Sequence, residues 1–175
     1  MSIERKLGLM ALAALPGLGP VNIRKLDEEL GGSVEELLEM PEAERARWCN
    51  PGVVGELGEW KQYFDPDKVE AELERMEADW ITFEDPDYPK RLGPYSDRPV
   101  GLYRVRAGKT FPSRCLAIVG TRQPSAYGRM VAREFAGELS RAGFTIVSGM
   151  AEGIDTEAHR AVLDAGGRAA AVLGG

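Results

Sequence analysis

The sequence has few of the residues from which metal centres, disulfide frameworks and catalytic triads are built. It contains two cysteines, Cys49 and Cys115, and a single histidine, His159. So few cysteines do not indicate a disulfide framework, and reduced thiols are the default. A zinc site of the Cys/His kind is excluded because it needs a cluster of such ligands, and a Ser/His/Asp arrangement could be built only around His159.

Long apolar runs are also missing. No segment approaches the ~20 uninterrupted apolar residues that a membrane span needs. The first residues place charges within a short apolar stretch that lacks a small-residue cleavage site. The mean hydropathy of −0.27 is ordinary for a globular protein. The sequence therefore predicts a cytoplasmic protein with no membrane partner.

Charge is divided unevenly along the chain, although the net charge is only −6. Residues 1–87 hold 9 Lys and Arg against 21 Asp and Glu, whereas residues 88–175 hold 13 against 7. Such asymmetry favours two units with different partners. The basic half is the candidate for binding a polyanion.

Helical patterns fill residues 1–64, which we predict to form a small all-α domain. An apolar helix over residues 3–15 meets the turn "PGLGP", and a second helix follows with Ile23 and Leu26 on one face. Ser33 and Glu36 predict a capping box that opens a third helix. Three tryptophans are expected in the core: Trp48, Trp60 and Trp80.

Residues 65–175 change to alternating strands and helices. "WITF" and "VGLYRVR" are short strand patterns; then "CLAIVG", "FTIVSG" and "RAAAVLGG" alternate with helical patterns over 125–142 and 155–165. Continuous apolar strands alternating with helices indicate a parallel sheet. The predicted fold class is therefore α/β, a Rossmann-like parallel sheet preceded by the small all-α domain.

The turn after the first of these parallel strands carries Gly120, Thr121 and Arg122. A glycine lets a ligand approach the backbone, and the helix that follows presents unpaired N–H groups. The guanidinium group of Arg122 can grip a phosphate with two parallel hydrogen bonds. These features predict one side of a phosphate-binding crevice.

The turn after the second parallel strand has the same character. Gly149 and Gly153 let a ligand approach its backbone, and the Ser148 hydroxyl can donate a hydrogen bond to an anion. Asp155 is predicted to be the N-cap of the next helix rather than a ligand. The carboxyl ends of parallel strands meet at one edge of a sheet, so this turn supplies the other side of the crevice.

Nucleotide cofactors are not indicated. The first turn lacks the G-x-G-x-x-G spacing of dinucleotide-binding proteins, and no G-x-x-x-x-G-K-[ST] P-loop occurs in the chain. We therefore expect no cofactor.

Five motifs, "DYPKRL", "RPVGLY", "AIVGTRQPSAYG", "IVSGMAEGIDTEAH" and "AVLGG", occur in this order with compatible gaps. The series resembles the DNA-processing protein family DprA, also called Smf, of bacterial natural transformation. The likeness covers about residues 80–175 and is highly specific. It implies a protein that binds single-stranded DNA, protects it after uptake and helps load the RecA recombinase, commonly as a homodimer and not as an enzyme.

The resemblance also implies the positions of the DNA phosphates. They are expected at Gly120, Thr121, Arg122, Ser148, Gly149, Met150 and Ala151, with Gly153 shaping the loop. Glu152 departs from the family, whose members often have a basic or neutral residue there, and a carboxylate facing phosphates should weaken binding. Tyr127 either stacks on a base beside Arg122 or lies partly buried at the helix entry. His159 is expected to pack or cap a helix rather than to act as a base.

The turn "LPGLGPVNIRKL" resembles a helix-hairpin-helix, in which backbone N–H groups face a phosphate and Arg24 and Lys25 flank it. The alternative is a plain helical hairpin in a SAM-like module. The acidic character of this half favours a structural or interaction role over DNA binding.

The family continues beyond the third parallel strand, whereas this sequence stops at Gly175. We expect it to be a fragment of the family's core, with an apolar edge at "CLAIV" unless "VGLYRVR" or "WITF" covers it, and to self-associate or unfold more readily than a longer chain. Two other functions remain open. One is a nucleotide-processing enzyme related to lysine-decarboxylase-like phosphoribohydrolases, and the other is a protein-interaction module centred on the acidic half. Release of free base from a nucleotide would identify the enzyme.

Overall fold

The computed structural model describes residues 4–105 and 112–174. The chain separates into two compact units, residues 1–111 and 112–175. In the described part of the chain, no helix is both long and apolar enough to cross a membrane.

The first unit begins with six α-helices and a 3₁₀ turn. They are α1 (Arg5–Ala13), α2 (Pro20–Glu29), the 3₁₀ turn Val34–Leu38, α3 (Glu42–Arg45), α4 (Pro51–Gly58), α5 (Trp60–Tyr63) and α6 (Pro66–Arg75). The predicted capping box does not form, because Ser33 makes no side-chain capping bond to any described residue and the segment after it is a 3₁₀ turn. The side chains of Asn50 and Asp65 do cap α4 and α6.

One apolar core holds this unit together. Leu9, Leu12 and Leu57 are fully buried in it. Phe64 belongs to the same cluster, and so do two residues well beyond it in the sequence, Trp80 and Val100. The predicted domain boundary at residues 64 and 65 therefore falls inside the first compact unit, whose limit is at residue 111.

The prediction that all three tryptophans lie in the core is wrong for Trp48. Trp60 and Trp80 are buried, but Trp48 is 39% exposed. It follows the short helix α3. Arg45 of that helix is buried, and its Nε and Nη2 atoms donate to the carbonyls of Leu37 and Leu38 at 2.8 Å.

An antiparallel ribbon completes the first unit. Strand β1 (Ala78–Thr82) pairs with β2 (Gly101–Val105), which confirms the two strand patterns, and the 3₁₀ turn Lys90–Leu92 lies between them in the chain. The Arg104 guanidinium bridges Asp79 and Asp87 across this ribbon. The ribbon is a sheet separate from the parallel one.

The second unit is a three-stranded parallel sheet with two helices. Its elements are β3 (Cys115–Ala117), α7 (Ala126–Arg141), β4 (Thr145–Ser148), α8 (Ile154–Asp164) and β5 (Arg168–Ala171). The strand order is β3-β4-β5, with Leu116 opposite Ile146 and Ile146 opposite Ala169. The predicted Rossmann-like α/β fold is confirmed.

Helices α7 and α8 pack on each other as well as on β4. Their interface buries Ala136, Ala158 and Val162 against Ile146. Arg133 on α7 reaches across to Glu157 and Asp164 on α8.

Within the described residues, strand β3 lies at an edge of this sheet. Leu116 is 39% exposed there, and Val119, just past the strand, is 69% exposed. The apolar edge expected at "CLAIV" is therefore present.

Candidate nucleic-acid interface

The two predicted turns lie at the carboxyl ends of the neighbouring parallel strands β3 and β4. In α/β sheets this edge is where ligands bind, because the loops that leave it diverge into helices and open a crevice. Residues 118–125 form the loop between β3 and α7, and residues 149–153 form the loop between β4 and α8. We call them loop 1 and loop 2.

Loop 1 is packed tightly against the start of α8. A Cβ atom on Gly120 would lie 2.7 Å from the Cγ1 atom of Ile154, so a side chain at position 120 would collide with the helix. The carbonyl of Thr121 accepts a hydrogen bond from the Ile154 backbone N–H at 3.2 Å. The Thr121 hydroxyl oxygen accepts from the Gln123 backbone N–H at 3.1 Å. The loop backbone thus has a defined position.

Loop 2 contains two residues with positive φ. Gly153 has φ of 88°, and a Cβ atom there would lie 2.3 Å from the Thr121 carbonyl oxygen. Met150 has φ of 57° and is 63% exposed, an uncommon conformation for a side chain other than glycine. The Ala151 carbonyl accepts from the Thr156 hydroxyl at 2.7 Å. Close contact with loop 1 therefore requires glycine at position 153.

The prediction that Asp155 caps α8 is wrong. The N-cap is Gly153, and Asp155 is the second residue of the helix, 5% exposed. Its Oδ1 atom accepts from the Gly120 backbone N–H at 3.3 Å, and its Oδ2 atom accepts from the Gly149 backbone N–H at 2.9 Å. The helix begins one residue earlier than predicted, and Asp155 therefore reaches both loops instead of its own helix end.

The Ser148 hydroxyl does not face the crevice. Ser148 is 2% exposed, and its Oγ atom donates to the Ile118 carbonyl at 2.6 Å. Three of the donors predicted for phosphates are used inside the protein: the backbone N–H groups of Gly120 and Gly149 and the Ser148 hydroxyl. They hold the crevice together rather than open it to a ligand.

The side chains exposed at this edge include those of Arg122, Tyr127 and Met150. Tyr127 is 72% exposed, so of its two predicted settings the structure shows the accessible one. The Arg122 side chain makes no hydrogen bond or ion pair with any residue that the structure describes. A cationic group and two apolar groups therefore surround the crevice in a form that a ligand could use.

Two other charged residues are exposed beside them. Glu152 lies in loop 2, as its position in the sequence predicts, and is exposed. Arg129 lies in the first turn of α7, whose N-cap Ser125 accepts from the Gly128 N–H at 3.1 Å. Arg129 is not among the predicted site residues, although its place in the first turn of the predicted helix could be read from the sequence.

The charge of the two units differs from the expectation based on residues 88–175. Residues 112–175 hold seven basic and six acidic residues, so the parallel-sheet unit is close to neutral. The remaining basic residues fall within the first unit, where Arg104 is committed to Asp79 and Asp87. Polyanion binding at the crevice would therefore depend on the local placement of Arg122 and Arg129.

His159 lies on α8, half-buried, and its Nε2 atom has no hydrogen-bond partner among the residues that the structure describes. Within the same residues, no group of three or more His, Cys, Asp or Glu side chains could hold a metal ion.

The groups around the turn between α1 and α2 that were predicted to face a phosphate interact with other residues of the first unit. The Gly17 backbone N–H donates to the Glu56 carboxylate at 2.8 Å. Arg24 is 9% exposed, its Nη1 atom donates to the Arg98 carbonyl, and burial lowers its pKa. Lys25 is exposed, and its Nζ atom lies 3.8 Å from the Oε1 atom of Glu29. In this conformation the groups predicted to face a phosphate contact other parts of the first unit.

Comparison with known proteins gives consistent matches. Protein Smf of Synechocystis sp. is 33% identical over 94% of this chain and 43% of its own length. DNA processing protein DprA of Bacillus subtilis is 36% identical over 62% of this chain and 37% of its own length. The chain therefore spans less than half of the length of these two curated relatives.

A solved structure extends the match to the fold. The X-ray structure of DNA processing protein A from Streptococcus pneumoniae superposes with a TM-score of 0.64 at 28% identity, over 99% of this chain and 58% of that one. A sequence model of the DNA recombination-mediator protein A family matches residues 79–175, more than half of the chain. The motifs from "DYPKRL" to "AVLGG" lie within that match, and the chain therefore belongs to the DNA recombination-mediator protein A family.

Proposed function

We propose that this chain takes part in DNA processing during recombination by binding single-stranded DNA at the crevice between loops 1 and 2. Membership of a family of recombination mediators supports this role. The observation that carries the choice of site is the exposed Arg122 guanidinium, which follows a loop backbone fixed by the start of α8. A guanidinium that has no partner among the described residues and is held in this way can bind a phosphate through two hydrogen bonds.

The exposed side chains contact two different parts of the DNA: some bind its phosphate backbone and others its bases. Arg122, together with Arg129 in the first turn of α7, contacts phosphates, which carry no sequence information. Tyr127 and Met150 offer apolar surface to unstacked bases, and any base can stack on an aromatic ring. The other predicted contact residues, Gly120, Thr121, Ser148, Gly149, Ala151 and Gly153, shape and hold the loops. Binding is therefore sequence-tolerant.

The function is binding rather than catalysis. The donors that would polarise a reacting phosphate, the N–H groups of Gly120 and Gly149, are directed at the Asp155 carboxylate. His159 has no described hydrogen-bond partner at Nε2 that could orient it as a base. The proposed role needs no cofactor.

The wider role follows from the family and concerns the whole protein. We propose that the protein protects incoming single-stranded DNA and helps load RecA upon it, in the cytoplasm, and that it acts as a homodimer. Membership of the recombination-mediator family supports the part of this role that concerns DNA recombination.

The first test is binding itself. We expect fluorescent oligo-dT to bind this chain, and oligonucleotides of mixed sequence to bind about as tightly, measured by anisotropy. Affinity should fall steeply as salt rises from about 50 to 200 mM, because each phosphate contact releases counterions. Absence of binding at low salt, or strong preference for one sequence, would contradict the proposal.

Replacement of Glu152 by lysine is expected to tighten binding of oligo-dT about threefold or more at low salt, because repulsion of the backbone becomes attraction. The gain should shrink as salt screens the charge. Glu134→Lys is the matched control, since Glu134 is exposed in the middle of α7 and the charge change is identical. Equal tightening in both variants would attribute the gain to net charge and remove Glu152 from the interface.

A further inference from the structure

We infer that the Asp155 carboxylate is the positioning group of the DNA-binding crevice: it fixes loops 1 and 2 relative to each other and thereby holds Arg122 in place for the strand. This inference rests on the proposed function. It assigns to a buried carboxylate a favourable part in the binding of a polyanion.

The first observation concerns the hydrogen bonds that the Asp155 carboxylate accepts. It is 5% exposed, and its two carboxylate oxygens accept from the N–H groups of Gly120 and Gly149, one in each loop. In the part of the chain that the structure describes, no lysine or arginine forms an ion pair with it. A buried charge is costly unless it is hydrogen-bonded, so these two bonds tie the loops strongly to the helix.

The second observation is that the residues just before Asp155 also contact loop 1. The Ile154 N–H donates to the Thr121 carbonyl, and the Ile154 side chain fills the space that a Cβ atom on Gly120 would need. Gly153 contacts the Thr121 carbonyl and the Arg122 backbone, where its own Cβ atom would lie at 2.3 and 2.8 Å. Three consecutive residues at the start of α8 therefore hold the backbone up to Arg122.

The consequence is a preorganised binding group. Ordering a loop and an arginine side chain upon binding costs conformational entropy, which reduces affinity. Because the backbone of Arg122 is already fixed, less of this cost remains when DNA binds. A site held by buried neighbours keeps its geometry better than one on a free loop.

Two explanations of the role of Asp155 predict opposite changes in DNA affinity when its carboxylate is neutralised. If Asp155 acts only as a negative charge near the strand, its neutralisation should tighten DNA binding. If it positions the loops, neutralisation should weaken binding even though a repulsive charge has gone. Glu152, three residues earlier and exposed, provides the reference for the purely electrostatic case.

The experiment compares Asp155→Asn with Glu152→Gln and Asp164→Asn in oligo-dT titrations across salt. Asparagine keeps the shape of aspartate but can accept only through its oxygen, so at least one loop N–H loses its partner. We expect Asp155→Asn to bind about tenfold more weakly, with an unchanged salt slope because no phosphate contact is removed. Glu152→Gln should bind more tightly, and Asp164→Asn, exposed near the end of α8, should match the parent.

Amide hydrogen exchange measures the positioning without DNA. The N–H groups of Gly120 and Gly149 should be protected in the parent and exchange faster in Asp155→Asn, while the N–H groups within β4 keep their protection. A simple loss of folded protein would instead lower the titration end point and expose all of these groups.

Three results for Asp155→Asn overturn the inference. The first is unchanged or tighter DNA binding together with faster exchange at Gly120 and Gly149, and the second is unchanged exchange at both of these N–H groups. The third is loss of the melting transition, which would give Asp155 a general role in stability. Asp155→Ala, which removes both bonds, should show the same pattern with a larger loss. If the parent itself fails to bind oligo-dT, the proposed function fails, and with it the role of Asp155 in DNA binding. The exchange data then still show whether Asp155 ties the loops.

Discussion

Replacing Arg122 by alanine is expected to weaken the binding of oligo-dT at least about tenfold at low salt, which corresponds to the loss of one charge-assisted contact. The slope of log affinity against log salt should flatten by roughly 0.7 to 1 unit, since one fewer phosphate is neutralised. The loss should be the same for every oligonucleotide sequence, because the contact is to the backbone. Anisotropy titrations at several salt concentrations measure all three quantities.

Arg168→Ala is the matched control for this variant. Arg168 is exposed at the amino end of β5, the end of the sheet opposite the crevice, and its removal changes the net charge identically. It should bind oligo-dT like the parent apart from a small long-range effect that salt screens. If Arg122→Ala and Arg168→Ala bind equally well, the crevice is not the site.

Replacing Gly153 by alanine is expected to destabilise the parallel-sheet unit by roughly 2–5 kcal/mol. About 1–2 kcal/mol comes from a side chain at positive φ, and about 1–3 kcal/mol from overpacking against loop 1. The collision is with the Thr121 carbonyl and the Arg122 backbone, neither of which can rotate away as a side chain could. Urea unfolding followed by the NMR signals of β4 measures the free energy of unfolding of this unit.

Gly166→Ala separates the two contributions. Gly166 also has positive φ, 66°, but among the described residues no atom other than its own and those of its two chain neighbours lies within 4 Å of the position that its Cβ would take. It should lose only the conformational part, about 1–2 kcal/mol. Equal losses at positions 153 and 166 would show that loop 1 moves aside easily, contrary to the tight contact described here.

The elements of the second unit were predictable because their signals are local. "FTIVSG" is a short run between two helical patterns and "RAAAVLGG" is a short run after the second of them, and β4 and β5 lie within these runs. The helix predicted over 125–142 is Ala126–Arg141. Strand order also followed from the chain order, because right-handed crossovers bring consecutive strands of such a unit together.

The side-chain partners at the site were not predictable in this way. Asp155 stands where a helix cap is common, and only the approach of two loops from elsewhere in the sequence shows that it accepts their N–H groups instead. Ser148 has a hydroxyl that could donate to an anion, but it donates instead to the carbonyl of Ile118, the first residue of loop 1. Trp48 is apolar, yet Arg45 occupies the interior near it. Each of these depends on which distant groups become neighbours.

The order β3-β4-β5 also bears on how the second unit acquires its structure. Each strand pairs with the one that precedes it in the chain, so Cys115 meets Thr145 and Thr145 meets Arg168. Parallel pairing normally slows folding because distant segments must meet, but here every pairing closes a single helix-containing loop. A chain leaving the ribosome can therefore add one strand and one helix at a time, and β3 with β4 can form before β5 has been synthesised.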